Sequence, residues 1–218
     1  GALVKVVGTV NVVEAVKARH HLLAGPLAYA SSAALYGEAD RETATVDEQA
    51  DGHPATHYGV YKQANEGNAR IYWRDEGVAS IGLRPFNVYG PARDQGVTAD
   101  PTHAMEAAAR GERYHIKYGG RVLFNYTADI ARMVVASSRS RFQGAAVFNT
   151  PGTVAHMSEL VAAIEATAPE AAGAVTFEEA PLAMPEQLAT GGLERAIGPI
   201  QVTPLEAGVA ETIEHFRS

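Results

Sequence analysis

The residues best placed to do chemistry in this sequence are Tyr58 and Lys62, which are separated by three residues. If this stretch is helical, the two side chains lie one turn apart on the same face. A free phenol keeps its proton until about pH 10, but a nearby cation favours the phenolate and lowers the pKa of such a group. A tyrosine tuned in this way can exchange a proton with a substrate hydroxyl. The spacing alone also fits a half-buried ring beside a solvated lysine, so its interpretation depends on the rest of the chain.

The elements around this pair predict a parallel sheet. Helical periodicity covers Leu3–His21, and Leu27–Ser31 predicts a short buried strand that ends in two serines. A helix is predicted from Pro54 to about Glu76, followed by a strand over Val78–Leu83. The order helix, strand, helix, strand is typical of an α/β fold, in which ligands gather beyond the carboxyl ends of the strands.

Downstream segments predict a second set of helices and strands. Helices are predicted over 100–111, 128–138, 158–168 and 204–216, and strands over 145–149 and 175–177. Thr203 and Glu206 have the spacing of a capping box for the last helix. The acidic, polar segment Glu38–Gly52 predicts an exposed loop.

Composition excludes several classes of function. The chain has 218 residues, a formal charge of −7 and no basic run, which argues against a nucleic-acid partner. It has no cysteine, which excludes disulfides and thiolate chemistry. His53 and His57 are four residues apart, but Pro54 lies between them and no third ligand is evident, so no metal site is predicted. No apolar segment is long enough to span a bilayer and no signal peptide is visible, so we expect no membrane partner and a cytoplasmic location.

Four segments carry a family resemblance when they are taken in order. They are Val6–Ala15 (VVGTVNVVEA), Tyr29–Gly37 (YASSAALYG), the Tyr58-x-x-x-Lys62 pair and Leu83–Pro91 (LRPFNVYGP). Together they resemble the extended short-chain dehydrogenase/reductase family, in its NAD-dependent epimerase/dehydratase branch. The resemblance implies a partial Rossmann-type parallel sheet with a smaller C-terminal α/β substrate lobe. It places the nucleotide-binding part at 1–90, with 123–150 packing back on it, and the substrate lobe mainly at 91–218.

The resemblance also implies roles for individual residues. Ser32 would hydrogen-bond the reacting oxygen, Tyr58 would be the acid/base, and Lys62 would bind the nicotinamide ribose and favour the phenolate. The resemblance further places Pro85, Asn87 and Val88 at the nicotinamide end of the cofactor. It implies substrate contacts for Ser32, Asn87, Arg93 and Arg121. Without the family, the two serines at 31 and 32 fit better as a strand-end pair that ties up backbone groups. Arg93 fits a solvated loop as well as it fits a substrate contact.

The sequence departs from the family pattern at its beginning. No glycine-rich phosphate loop of the G-x-G-x-x-G type is present, and the chain is expected to begin inside the fourth helix of the nucleotide-binding domain. Lys5 stands where the helix motif usually has its first asparagine.

Two functions are therefore predicted. The first is an NAD- or NADP-dependent oxidoreductase or epimerase, expected to be a homo-oligomer, acting on a hydroxyl-bearing carbon of a small-molecule sugar or nucleotide sugar. The second is a non-catalytic remnant or fragment of such an enzyme that cannot hold the dinucleotide. Ala33 and Ala34, which follow Ser32, argue against a dehydratase, because no acidic pair stands there.

Overall fold

The computed structural model describes residues 1–38, 40 and 45–218, and it is built from alternating helices and strands. A wide π-helical turn, Leu3–Val7, leads directly into the first α-helix. The helices are α1 (Gly8–Ala18), α2 (His57–Glu76), α3 (Asp100–Ala109), α4 (Thr127–Arg139), α5 (Met157–Thr167), α6 (Gly191–Ile197) and α7 (Leu205–Arg217). The strands are β1 (Leu27–Ala30), β2 (Ser80–Arg84), β3 (Asn87–Tyr89), β4 (Tyr114–Ile116), β5 (Arg121–Tyr126), β6 (Ala145–Asn149), β7 (Thr153–His156) and β8 (Val175–Phe177).

The predicted parallel α/β fold is confirmed. Strands β1, β2 and β6 form a parallel sheet in the order β1-β2-β6, with Ala30 opposite Leu83 and Leu83 opposite Phe148. A second sheet joins β3 to β5 in parallel and β5 to β7 in antiparallel orientation, and β4 pairs with β8 in parallel. Because β1 and β2 run in the same direction, the segments that follow them leave the sheet at the same edge.

The core is divided between the sheets. Ile81 and Leu83 of β2 pack with Met133 of α4 and Phe148 of β6. A larger cluster surrounds the second sheet and buries Phe124 of β5 against α3, α5 and α7. Strand β6 lies late in the chain and adds to the sheet of β1 and β2, but the proposed division into two lobes stays a prediction.

Two local expectations are wrong for identifiable reasons. The segment Glu38–Gly52 is not uniformly exposed: among its described residues, Asp40, Val46 and Glu48 are buried, and Val46 forms a β-bridge with Leu188. The part of that prediction that falls on 39 and 41–44 lies outside the described residues.

The capping box at Thr203 is the second error. Helix α7 has Pro204 at its N-cap and no side-chain cap, because the hydroxyl and backbone N–H of Thr203 both donate to the buried Asp129, at 2.8 Å. A capping box is found instead at α5, where the side chains of His156 and Glu159 accept hydrogen bonds from each other's backbone N–H groups. None of the helices in the described part of the chain is long and apolar enough to cross a membrane.

Candidate active site

Helix α2 carries Tyr58 and Lys62, and its start is fixed by a side-chain cap. The hydroxyl oxygen of Thr56 accepts a hydrogen bond from the Gly59 N–H at 3.1 Å, which satisfies one of the free donors of the first turn. Gly77, at φ 67°, ends the helix in the left-handed conformation that glycine adopts without strain. The cap places Tyr58 in the first turn and Lys62 one turn later, as the spacing predicted.

Helix α2 lies in close contact with the segment that follows β1. A Cβ atom at Gly59 would be only 2.2 Å from the carbonyl oxygen of Ala34, so only glycine permits this approach. Ser32 caps the short turn Ala33–Leu35, with its Oγ accepting from the Ala34 N–H at 3.1 Å. That bond uses a lone pair of the Ser32 hydroxyl and leaves its proton able to be donated.

Lys62 connects the helix to the end of β1. Its Nζ donates to the carbonyl oxygen of Ala30 at 2.6 Å and lies 5.4 Å from the centre of the Tyr58 ring. Burial lowers the pKa of Lys62, the charge of Lys5 lowers it further, and Glu66 opposes both effects. Tyr58 itself is 39% exposed, so its ring remains open to a ligand. The structure therefore brings Tyr58, Lys62 and the serine-bearing strand end together.

A buried polar network beneath these residues escaped the sequence analysis. Arg84, the last residue of β2, forms two hydrogen bonds with the Glu66 carboxylate, at 2.8 and 2.7 Å. Ser31 donates to the same carboxylate, and Arg84 also donates to the Tyr36 hydroxyl at 2.7 Å. Ser31 is thus occupied by a structural contact, which leaves Ser32 as the serine whose hydroxyl proton is not committed to this network. The available signal was that Glu66 lies one turn beyond Lys62 on the same helix.

The three residues expected at the nicotinamide end separate into two groups. The carbonyl oxygen of Pro85 accepts from the Ala33 N–H at 3.0 Å, so Pro85 lies directly beside the serine segment. Asn87 is completely buried in β3, with its amide within 3.2 Å of the Tyr118 hydroxyl, while Val88 is half-buried. Burial raises the pKa of Tyr118, so this phenol stays protonated and able to hydrogen-bond Asn87.

The two arginines expected to contact substrate lie in different surroundings. Arg93 is in the loop after β3, next to Ala92 at φ 66°, and donates to the Thr98 hydroxyl at 3.2 Å. Its Nε is buried without a hydrogen-bond partner among the described residues. Arg121 is exposed at the start of β5, where its nearest charged partner is Glu159 of α5 at 3.6 Å. The contacts described for Arg121 involve α5 and β7, not the segment of Ser32.

The comparisons with known proteins establish the family. The model of the NAD dependent epimerase/dehydratase family matches residues 2–149. The chain belongs to this family. It is 30% identical to GDP-6-deoxy-D-mannose reductase of Pseudomonas aeruginosa over 109 residues, which are 50% of this chain. The chain spans about a third of the length of its curated relatives, at 35% for this reductase and 37% for a protein of Escherichia coli.

Solved structures show the same fold over nearly the whole chain. A partial consensus L-threonine 3-dehydrogenase superposes with a TM-score of 0.84 at 21% identity, covering 98% of this chain and 71% of that one. UDP-glucose 4-epimerase of Thermus thermophilus, in complex with NAD, gives a TM-score of 0.79 at 24% identity and covers 98% and 70%. At these identities the likeness establishes the Rossmann-like architecture, not the substrate.

Proposed function

We propose that this chain carries the proton-transfer site of an NAD(P)-dependent oxidoreductase or epimerase acting on a hydroxyl-bearing carbon of a sugar or nucleotide sugar. The observation that carries the proposal is the arrangement of Tyr58 and Lys62. The ammonium group is fixed by a 2.6 Å hydrogen bond to Ala30, two residues before Ser32, and lies 5.4 Å from the phenol ring. Membership of the epimerase/dehydratase family supports the same assignment.

Each residue of the site has a distinct task in this mechanism. The Ser32 hydroxyl donates a hydrogen bond to the reacting oxygen of the substrate and so orients the substrate. Tyr58 takes the proton from that oxygen as the carbon is oxidised and returns it when the carbonyl is reduced. Lys62 supplies a positive charge one turn from Tyr58, and the Ala30 carbonyl keeps the ammonium group from turning away.

The residues present fit a nicotinamide nucleotide at this position. An ammonium group has three N–H donors, and the bond to Ala30 takes one of them, so Lys62 can also hold the ribose hydroxyls. Pro85, beside the serine segment, and Val88 would contact the nicotinamide end, with Asn87 shaping the wall through its bond to Tyr118. When bound, NAD or NADP would supply the hydride acceptor. The NAD complex of the Thermus thermophilus relative supports this cofactor class.

The substrate class is supported by the names of the relatives. They include a GDP-sugar reductase and a UDP-sugar 4-epimerase, and interconversion of a hydroxyl and a carbonyl on a sugar needs proton transfer at the sugar oxygen. Ser32 and Asn87 lie on the strand-end side, and the guanidinium group of the half-buried Arg93, in the loop after β3, would donate to a phosphate or carboxylate. Arg121 reaches a substrate only if its contact with Glu159 opens.

The proposal predicts the effect of Tyr58→Phe in the protein as its gene encodes it. Removing the hydroxyl removes the acid/base, so kcat is expected to fall about a thousandfold. NAD affinity is expected to change little, because Lys62 and the strand ends are retained. The measurements are steady-state turnover with UDP-glucose and other nucleotide sugars, and calorimetric titration with NAD.

Tyr61→Phe is the matched control, since it removes a phenol one residue before Lys62 and should leave turnover nearly unchanged. Turnover within a few-fold of normal in Tyr58→Phe would show that another group moves the proton. Calorimetric titration of the 218-residue chain with NAD distinguishes the enzyme from the alternative, a non-catalytic piece. Absence of NAD binding would favour a non-catalytic piece, and tight binding would refute it.

A further inference from the structure

Lys5 is held at the candidate site by its backbone. It lies in the wide π-helical turn Leu3–Val7, and its carbonyl oxygen accepts from the side-chain amide of Asn65 at 2.7 Å and from the Thr9 hydroxyl at 2.9 Å. Asn65 belongs to α2 and is buried, so this bond ties the turn to the helix that carries Tyr58.

The side chain of Lys5 is directed at the same ring as Lys62. Its Nζ lies 5.1 Å from the centre of the Tyr58 ring, and the Nζ of Lys62 lies 5.4 Å from it. We infer that Lys5 is a positioning residue of the proposed site, whose ammonium group holds the Tyr58 ring and repels the ammonium group of Lys62. This inference rests on the proposed function, but the coupling between the two lysines can be measured without it.

The other charges around Lys62 do not cancel the repulsion between the ammonium groups of Lys5 and Lys62. Burial is the larger cause of its lowered pKa, and the charge of Lys5 is the next. The opposing charge is Glu66 on the same helix, and two of its hydrogen bonds come from Arg84 of β2. On α1, Glu14 bonds Tyr72 and Lys17 bonds Glu76, both at the far end of α2. The described side chains of the turn Ala33–Leu35 and of β6 carry no charge.

Lys5 adds a second positive charge beside the Tyr58 ring. This charge repels the ammonium group of Lys62, so Lys62 releases its proton more readily. Lys5 therefore changes the proton balance of the site without being expected to touch the substrate.

The test is competitive acetylation of the folded chain, read by peptide mass spectrometry. Only an unprotonated amine reacts, so the labelling of Lys62 relative to the exposed Lys117 reports how readily Lys62 gives up its proton. In Lys5→Met, this ratio at a fixed pH is expected to fall at least about twofold, the effect of removing a like charge about 10 Å away in water. Lys5→Arg keeps the charge and should keep the ratio, while Lys5→Asn should behave like Lys5→Met.

A second measurement needs no substitution and so does not depend on the variants folding. Raising the salt from about 0.01 M to about 1 M shortens the screening length from about 30 Å to about 3 Å, which should lower the same ratio in the unaltered chain. A ratio unchanged by both the Met variant and salt overturns the inference. The two proposals can fail independently. An unchanged labelling ratio would not affect the assignment of Tyr58 as the acid/base, and an active Tyr58→Phe enzyme would not affect the coupling between the two lysines.

Discussion

At the residue scale, the ion pair of Glu66 and Arg84 sets the geometry beneath the proposed site. The two side chains are 3% and 4% exposed, and their double hydrogen bond joins the middle of α2 to the end of β2. Burial alone would lower the pKa of Arg84, but the hydrogen bonds and charge of Glu66 outweigh it and raise that pKa. Arg84 therefore stays charged, and each of the two buried side chains depends on the other for compensation.

Arg84→Met is expected to destabilise the protein by about 3–5 kcal/mol, because it leaves the Glu66 carboxylate buried without its partner. The matched control is Asp75→Asn, which breaks the exposed pair with Arg74 and should leave stability nearly unchanged. Urea denaturation measures both. Equal costs in the two variants would contradict the structural role given to the buried pair.

Single residues also mark the limit of what the sequence could predict. Tyr58 and Lys62 were predictable because their contact is local to one helix. Ser31 and Ser32 are adjacent and identical, and nothing in the sequence shows that Ser31 bonds Glu66, which lies 35 residues away. The partner of Asn87 is Tyr118, another distant residue, so its burial could not be predicted from spacing.

At the element scale, helix α2 contains two glycines in different surroundings. A Cβ at Gly59 would meet the Ala34 carbonyl oxygen at 2.2 Å, whereas the nearest atom to a Cβ at Gly67 is the tip of Arg70 at 3.9 Å. The first contact involves backbone that cannot turn away, so α2 would have to move from the segment of Ser32. Gly59 thus fixes the distance between the two elements that carry the proposed acid/base and its serine.

The two alanine variants should have opposite effects on stability. Gly59→Ala is expected to destabilise by about 1–3 kcal/mol through overpacking. Gly67→Ala is expected to stabilise by about 0.5–1 kcal/mol, since alanine loses less backbone entropy than glycine in a helix. Thermal unfolding followed by circular dichroism measures both. A stabilising Gly59→Ala would show that α2 and the serine segment are not in tight contact.

Helices α1 to α5 and α7 and strands β1, β2, β6 and β8 were predicted as elements, since their periodicities and breakers are local, whereas α6, β3, β4, β5 and β7 were not predicted. The ends of the predicted elements were less predictable, because capping depends on competition for partners. Thr203 has the sequence of a cap but bonds the buried Asp129, and Glu48 lies in a polar segment but is buried beside Gly192. Both errors come from residues far along the chain.

At the scale of the whole molecule, exposed apolar side chains concentrate on the first helical segment and α2. Leu3, Val4, Val7 and Val12 are exposed on the former, and Val60 and Ile71 on the latter. The segment and α2 pack against each other, and a surface of this kind is typical of an interface. The expected homo-oligomer would use it to bury these side chains against a second copy.

Val12→Glu is therefore expected to weaken self-association, because a carboxylate would be buried among apolar groups without a partner. Val12 is 52% exposed in the chain described here, so the folded monomer should tolerate the change. Val97→Glu is the matched control: Val97 is 84% exposed in the loop before α3 and should not affect association.

Sedimentation velocity at micromolar concentrations measures the species present. If the unaltered chain sediments as a monomer throughout, or if both variants weaken association alike, the second copy does not bind through α1 and α2. If Val12→Glu weakens self-association and Val97→Glu does not, the interface is formed by the first helical segment, which carries Lys5, and by α2, which carries Tyr58 and Lys62.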